Sequence, residues 1–452
     1  MASMQRDNWT WAKLGDIADI IGGVSFDKAD ITSEGVRILR GGNIQSGKII
    51  HRSDDVFLPM TYADSSNQVQ YGDTVLVAST GSVEVLGKAA TCFSEMPNCQ
   101  IGAFLRIVRP KQAKYAMLVS CYLTSSYFST YIQKQAKGTS INNIRNEHLK
   151  EFKVLIPNDN ELESFSNFYQ NIELKLALNR QINDNLEAMA KQLYDYWFVQ
   201  FDFPNEESKP YKSSGGKMVW NDKLKREIPE GWKDGVFSDI ANITMGQSPD
   251  GSSYNEEGKG EIFYQGSTDF GIRFPSVRMY TTAPTRFAKQ GDILMSVRAP
   301  VGAVNIANTD CSIGRGLSAI NSKIGSTTYT YFVIHYLKVR FDSMNSAGTT
   351  FGSITKEELY SLPVVIPTDK VIKIFESVSK PIFDKQMAIG HEMQNLTKQR
   401  DELLPLLMNG QVSVNYHLSA SYKYRNSYKA SCVMTIYRIS LCEILTFFSF
   451  YG

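Results

Sequence analysis

The 452-residue chain has almost no excess of charge: 48 basic against 46 acidic side chains leave +2. A global electrostatic argument for nucleic acid is therefore excluded, and only local asymmetry can make one. It also lacks a run of about 18 uncharged apolar residues. The richest stretch, Cys432 to Gly452, is interrupted by Arg438 and Glu443. Residues 1–15 hold no apolar segment of the signal-peptide kind, so the expectation is a soluble cytoplasmic protein with no membrane association. Histidine is scarce, at five. The six cysteines (92, 99, 121, 311, 432 and 442) form no CxxC. They read as reduced, mostly buried thiols rather than a disulfide frame or zinc site. The 42% apolar content excludes a disordered chain, and the length suits two or three domains.

Catalytic signatures are missing too. Five residues separate Gly81 from Gly87 where a phosphate loop has four, and Ala89 replaces the hydroxyl that would hold magnesium. Pro249-Asp250 followed by Glu257-Gly258-Lys259 spells a nuclease-like pattern, but the six intervening residues suit a loop rather than adjoining strands. No glycine-rich cofactor loop with a downstream acid follows a strand, and no Asn-Pro-Pro-aromatic tetrapeptide occurs. The expectation is a chain without metal, cofactor or catalytic residues of its own.

What the sequence does contain is a duplication. Leu14-Gly15-Asp16-Ile17 returns as Phe237-Ser238-Asp239-Ile240, 223 positions on. Tyr71-Gly72-Asp73-Thr74-Val75-Leu76 returns as Gln290-Gly291-Asp292-Ile293-Leu294, 219 on. Gly138-Thr139-Ser140 matches Gly348-Thr349-Thr350, and Val154-Leu155-Ile156-Pro157 matches Val364-Val365-Ile366-Pro367, both 210 on. A period this long signals a duplicated domain rather than a solenoid.

Each Ile-Pro is followed by a stripe of apolar residues at steps of three and four. The first comprises Ile172, Leu176, Ile182, Leu186, Met189, Leu193 and Tyr196, with Asn179 in the gap. The second comprises Val371, Phe375, Val378, Ile382, Ile389, Met393, Leu396, Leu403 and Leu407, with Lys385 and Arg400 at the seam. Two such stripes at matching places predict two long helices that pack on each other as a coiled coil, with Leu403-Leu404-Pro405 marking a kink or end. The layout is a first module over 1–159, a helix over 160–202, a second module over 203–368 with a linker over 203–217, a second helix over 369–412, and a tail over 413–452 that fits neither pattern. The modules read as mixed α/β. Strands are predicted over 36–39, 74–78 and 104–108 and a helix over 115–133. In the second module 293–297 is matched to the last of those strands and 329–344 to the helix.

Charge is segregated within each module. Arg37, Arg40, Lys48 and Arg52 occur together without an acid, and nine basic residues between Pro97 and Lys153 face only Glu147 and Glu151. Between Ile262 and Lys323 seven basic residues outnumber Asp269, Asp292 and Asp310. Interleaved Asn, Gln, Ser and Thr give these stretches a composition that suits phosphates and base edges, although solvated faces account for charge alone equally well.

On these residues the chain resembles the specificity subunit of type I DNA restriction-modification enzymes. The resemblance is carried by Gly291-Asp292-Ile293-Leu294-Met295-Ser296-Val297-Arg298-Ala299-Pro300-Val301-Gly302, by Cys311-Ser312-Ile313-Gly314-Arg315-Gly316-Leu317, and by Pro229-Glu230-Gly231-Trp232. The two Gly-Thr turns that lead through Ile-Pro into helices complete it, over roughly residues 9–412. The first module departs from the pattern, with Ala78-Ser79-Thr80-Gly81 where the second has Ser296-Val297-Arg298-Ala299.

The resemblance implies two α/β target recognition domains joined by two long antiparallel coiled-coil helices in a pseudo-two-fold arrangement. Each would read one half of a bipartite site in double-stranded DNA, with the helices setting the gap. It also implies two methyltransferase subunits and translocating restriction subunits as partners, with S-adenosylmethionine, ATP and magnesium held there. Long or forked polar donors are the groups able to read base edges. They are Arg37, Arg40, Asn43, Ser79, Lys88, Asn142, Asn143 and Arg145 in the first module. In the second they are Gln265, Ser267, Arg273, Arg298, Arg315, Thr349 and Thr350. Thr139 and Ser140 suit either a phosphate or a turn. An orphan subunit serving methylation only, and a coiled-coil scaffold binding other proteins, are the alternatives.

Overall fold

The computed structural model describes residues 9–45, 47–81, 85–136, 142–346 and 352–408. Both Gly-Thr turns, the tail, Cys432 and Cys442 lie outside these residues. The chain divides into two compact units, one holding the described residues up to Ala177 and from Asn395, the other Leu178–Gln394. The division falls inside both long helices, not at the module–helix junctions drawn from the sequence.

In the first unit an antiparallel sheet runs in the order Ala18–Gly22, Leu105–Pro110, Thr74–Val77, Ala89–Thr91. A second sheet pairs Val36–Leu39 in parallel with Cys99–Ile101 and antiparallel with Val56–Leu58. Thr10–Lys13 pairs with Lys153–Ile156, which returns the chain to its entry point just before the first long helix. The second unit repeats every step. Its antiparallel sheet runs Ala241–Met245, Leu317–Ser322, Ile293–Ser296, Val304–Ile306. Glu261–Tyr264 pairs in parallel with Cys311–Ile313, and Lys233–Val236 closes on Pro363–Ile366.

The strand at Ile293 is therefore the counterpart of Thr74–Val77. The counterpart of Leu105–Pro110 is Leu317–Ser322, so the Gly-Asp repeat aligned Ile293 correctly and the match of 293–297 to 104–108 was wrong. The backbone ladders also show that Val297, not Ser296, stands where the first unit has Ala78. The Ile144 amide donates to the Ala78 carbonyl at 2.7 Å, and the Ile354 amide to that of Val297 at 2.9 Å.

The repeated Gly-Asp-hydrophobic motif has a local cause. Gly72 and Gly291 both have φ of +89°, a left-handed conformation that a side chain would strain. The aspartate that follows folds back on the turn: Asp73 Oδ2 accepts from the Gln70 amide, and Asp292 Oδ2 from the Lys289 amide, both at 2.8 Å. The apolar residues after it enter the sheet buried. Leu14 and its counterpart Phe237 are both fully buried at the first helical turn; truncating such a phenylalanine to alanine costs about 3–5 kcal/mol.

The helix expected over 115–133 is two helices, Ala116–Thr124 and Ser126–Ala136. Ser125 interrupts them, its hydroxyl donating to the Tyr122 carbonyl at 2.6 Å and accepting from the Phe128 amide at 3.2 Å. The second unit has one helix here, Thr327–Ser346. The long helices span Asp159–Tyr194 and Asp369–Met408. The second continues through Pro405 as far as Met408, the last described residue, so that proline does not end it.

Within the second unit the two helices meet in antiparallel sense: Asn179 Nδ2 donates to Glu392 Oε2 at 2.8 Å and Gln386 Nε2 to Glu187 Oε2 at 2.7 Å. Within the first, Arg400 Nη1 lies 2.9 Å from Glu173 Oε1. Two seam residues were misread. Lys385 is exposed and Gln386 takes the buried position. Tyr196 is also exposed, because a π-turn over Asp195–Val199 rotates the end of the first helix and turns Trp197 and Phe198 inward. The stretch read as a linker is packed rather than loose, with Phe203 stacked on Tyr211 and Trp232 at 4.7 and 4.9 Å.

Candidate nucleic-acid interface

Strand ends and tight turns of the second unit build a cleft of about 600 Å³, lined by Ser248, Tyr254, Gln265, Ser267, Thr268, Arg298 and Arg315 among others. Four sequence candidates thus come together. Glycine makes their approach possible. A Cβ on Gly246 would stand 2.2 Å from the Gly314 carbonyl oxygen, and one on Gly316 would stand 2.4 Å from that of Gln265. The turn that passes through this space leaves only Arg315 to project from it, exposed, with its amide on Ser248 Oγ at 3.2 Å. Arg298 is exposed at the end of a buried strand, its carbonyl accepting from Ser296 Oγ at 2.6 Å and its backbone bridging Ser353. Neither guanidinium makes an ion pair with a described residue, which leaves both forks available for phosphate or guanine.

The wall carrying Gln265 is held by Asp269. Its buried carboxylate accepts from the Gln265 amide at 2.8 Å and from Arg278 Nε at 3.0 Å. Arg273 is not part of the cleft. It is 5% exposed, with Nη1 3.3 Å from Glu187 Oε2 and 3.1 Å from Tyr331 Oη, and it stacks over Tyr331 and Phe383. A side chain so enclosed reaches no base, and its selection as a reader is corrected on that ground.

In the first unit the equivalent turn follows Val36–Leu39. The Arg40 amide donates to Asn43 Oδ1 at 2.8 Å, as the Gln265 amide does to Asp269. Asn43 is therefore the counterpart of Asp269, fully buried, with its Nδ2 on the Ile50 carbonyl at 3.0 Å and Asp55 Oδ1 at 2.6 Å. It too is structural, and is corrected as a reader. Arg40 is paired with Asp54 at 3.2 Å, and Arg52 meets the same carboxylate at 2.7 Å, holding it below the usual carboxylate range. Arg37 Nη1 lies 2.8 Å from His51 Nδ1, and its guanidinium stacks over Phe57.

Ser79 and Asn143 face each other across a short antiparallel pair, which also sets Asn142 opposite Thr80. Ser79 is half-buried, and Asn143, Lys88 and Arg145 are exposed. Thr139, Ser140, Thr349 and Thr350 lie outside the described residues.

Basic residues counted along the sequence overstate the free charge. Arg109 makes a two-pronged pair with buried Asp73 at 2.9 and 2.8 Å, Lys114 pairs with Asp159 at 2.7 Å, and Lys289 with Asp310 at 2.7 Å. Sequence reasoning passed over Ser248, Thr268 and Tyr254 in the second unit and Ala103 and Phe104 in the first. The last two were findable, because Gly102-Ala103-Phe104-Leu105 aligns with Gly314-Arg315-Gly316-Leu317.

Among the described residues no group of three His, Cys, Asp or Glu could hold a metal ion. Asp250 accepts from the Ser252 amide at 2.9 Å, and Glu257 pairs with Lys259, so the nuclease-like residues serve their own turns. Cys92, Cys99, Cys121 and Cys311 are free and buried. Cys99 and Cys311 open the equivalent parallel strands, and burial pushes both thiols up to about 12. No described helix is long and apolar enough to cross a membrane.

This duplicated scaffold and cleft define a DNA-recognition protein. The chain belongs to the family of the type I restriction modification DNA specificity domain, which matches residues 6–188 and 229–403. It is 28% identical over 423 residues to the specificity subunit assigned to the type I restriction enzyme MjaX of Methanocaldococcus jannaschii, covering 90% of this chain and 94% of that one. The HindI specificity subunit of Haemophilus influenzae is 24% identical over 357 residues, covering 64% and 75%. The S subunit of a type I system from M. genitalium shares the fold, with a TM-score of 0.53 at 16% identity over 90% of this chain and 98% of that one.

Proposed function

We propose that each module docks in a major groove and reads one half of a bipartite, asymmetric DNA site, and that the paired helices fix the unread gap. The observation that carries this reading is the cleft in which Gln265, Ser267, Arg298 and Arg315 converge on a scaffold that the first module repeats. A duplicated chain offers equivalent surfaces to two copies of one partner. Two methyltransferase subunits, bringing S-adenosylmethionine, are the partners proposed to dock there, and restriction subunits using ATP and magnesium join them. This chain supplies the address and its partners the chemistry.

Single-molecule methylome sequencing of a host with and without the gene tests the proposal. A bipartite adenine-methylation motif should vanish with the gene, and a methylome identical in both strains would refute it. Duplex affinity of the purified chain should also fall steeply with salt, because phosphate neutralisation releases counterions.

A further inference from the structure

We infer that Phe104 is a specificity-determining residue of the first module, one that takes the 5-methyl group of a thymine at the point where the second module presents Arg315 and Gly316. The inference rests on the DNA-reading function proposed above.

Three backbone bonds fix the equivalence. The Gly102 amide donates to Leu39 O at 2.9 Å, as Gly314 does to Tyr264 O at 2.8 Å. The Leu105 amide returns to Gly102 O at 2.9 Å, as Leu317 does to Gly314 O at 3.0 Å. The Phe104 carbonyl accepts from the Ala78 amide at 2.9 Å, as the Gly316 carbonyl accepts from Val297 at 3.0 Å. Ala103 therefore stands at the place of Arg315, Phe104 at that of Gly316, and Ser79 at that of Arg298. Where the second module shows two guanidinium groups that pair with no described acid, the first shows a hydroxyl, a methyl and a phenyl ring.

That ring is 69% exposed. Its backbone is nonetheless braced: Arg106 Nη1 donates to the carbonyls of Ala103 at 2.9 Å and Leu105 at 2.7 Å, and Arg106 Nε donates to Asn146 Oδ1 at 3.1 Å. An aromatic held out on a braced turn is pre-organised for contact rather than left over from the core. Ser79, whose amide donates to the Phe104 carbonyl at 3.0 Å, and Asn143, paired with Ser79, are polar neighbours, which suits a phosphate-bearing partner. In the major groove the thymine methyl is the apolar group that distinguishes one base pair from the others. The second module has no room for this device, because any Cβ on Gly316 would strike the Gln265 carbonyl.

The test selects duplexes from a random pool with the full chain, then repeats the binding with each thymine of the selected site in turn replaced by deoxyuridine, which lacks only the methyl. The expected result is one thymine position in the half-site read by the first module at which uracil weakens binding roughly three- to tenfold, the size of one buried methyl group. Phe104→Ala should lose the same factor on the thymine duplex and become indifferent to uracil, and Phe104→Leu should recover part of it. A Phe104→Ala protein that keeps its thymine preference, or that weakens equally on every sequence, overturns the inference while leaving the selected consensus, and so the reading function, standing. Selection of no consensus by the unmodified chain would overturn both.

Discussion

The guanidinium of Arg273, carried on a loop of the second module, lies 3.3 Å from the carboxylate of Glu187 on the first long helix, with Gln386 of the second helix 2.7 Å from the same oxygen. One polar junction, with Arg273 and Gln386 buried and Glu187 partly exposed, thus ties the module to both helices. His335 packs on Tyr331 beside it, its ring held neutral to lower pH than usual by burial. Replacing Arg273 with methionine leaves Glu187 with a lost partner and removes stacking on Tyr331 and Phe383. A buried pair broken on one side costs about 3–5 kcal/mol; with Glu187 partly exposed, about 2–4 kcal/mol is expected here. Denaturant unfolding of the variant, followed by tryptophan fluorescence, checks this, and the selected base consensus should stay the same.

Arg298 and Arg315 should behave oppositely. Alanine at either position leaves the fold intact. A fork on guanine then loses about 1–3 kcal/mol and relaxes one base position, whereas a phosphate contact weakens all sequences and lowers the salt slope by about one. Binding titrations over a salt series distinguish the two. Unchanged affinity and selectivity would remove that residue from the interface.

Much of this was legible in the sequence because duplication prints the same backbone solution twice. The Gly-Asp turns, the closing Ile-Pro strands and both long helices follow from it. Burial of polar residues was not legible. Asn43 and Arg273 have the chemistry of readers, and only tertiary contacts reveal that Asn43 caps a turn and Arg273 joins a module to helices. The seam error at Tyr196 arose because a π-turn adds a residue to the turn and breaks the steps of three and four. Phe104 escaped attention because an aromatic in a sequence reads as core.

The cysteines give a pH dependence with a definite sign. Burial favours the thiol over the thiolate, so Cys99 and Cys311, pushed up to about 12, contribute fully below the unfolded thiol value of 9.0 and lose that contribution as pH rises towards 12. Stability should fall through this window, and less so in a Cys99→Ser, Cys311→Ser protein. At pH 8 iodoacetamide should label neither residue in the folded chain and both after unfolding, as read by mass spectrometry.

Helix length should set the spacing between half-sites. Asn179 and Glu392 meet at 2.8 Å and mark facing levels of the two helices. Four residues inserted at both levels add about 6 Å, close to two base pairs, and nearly preserve the apolar stripe because four residues make slightly more than one turn. The methylated motif should gain one or two unread base pairs with both half-sites unaltered. Two inserted residues rotate the stripe by about 200° and should give poorly folded or inactive protein.

The most direct test of the central claim exchanges the first module, residues 9–157, for that of a relative with a different half-site, and sequences the methylome of cells that carry the hybrid with its methyltransferase. The account predicts that one half of the bipartite motif changes to the donor's sequence while the other half and the spacing stay the same. A hybrid that folds and supports methylation but changes both halves, or neither, would contradict it.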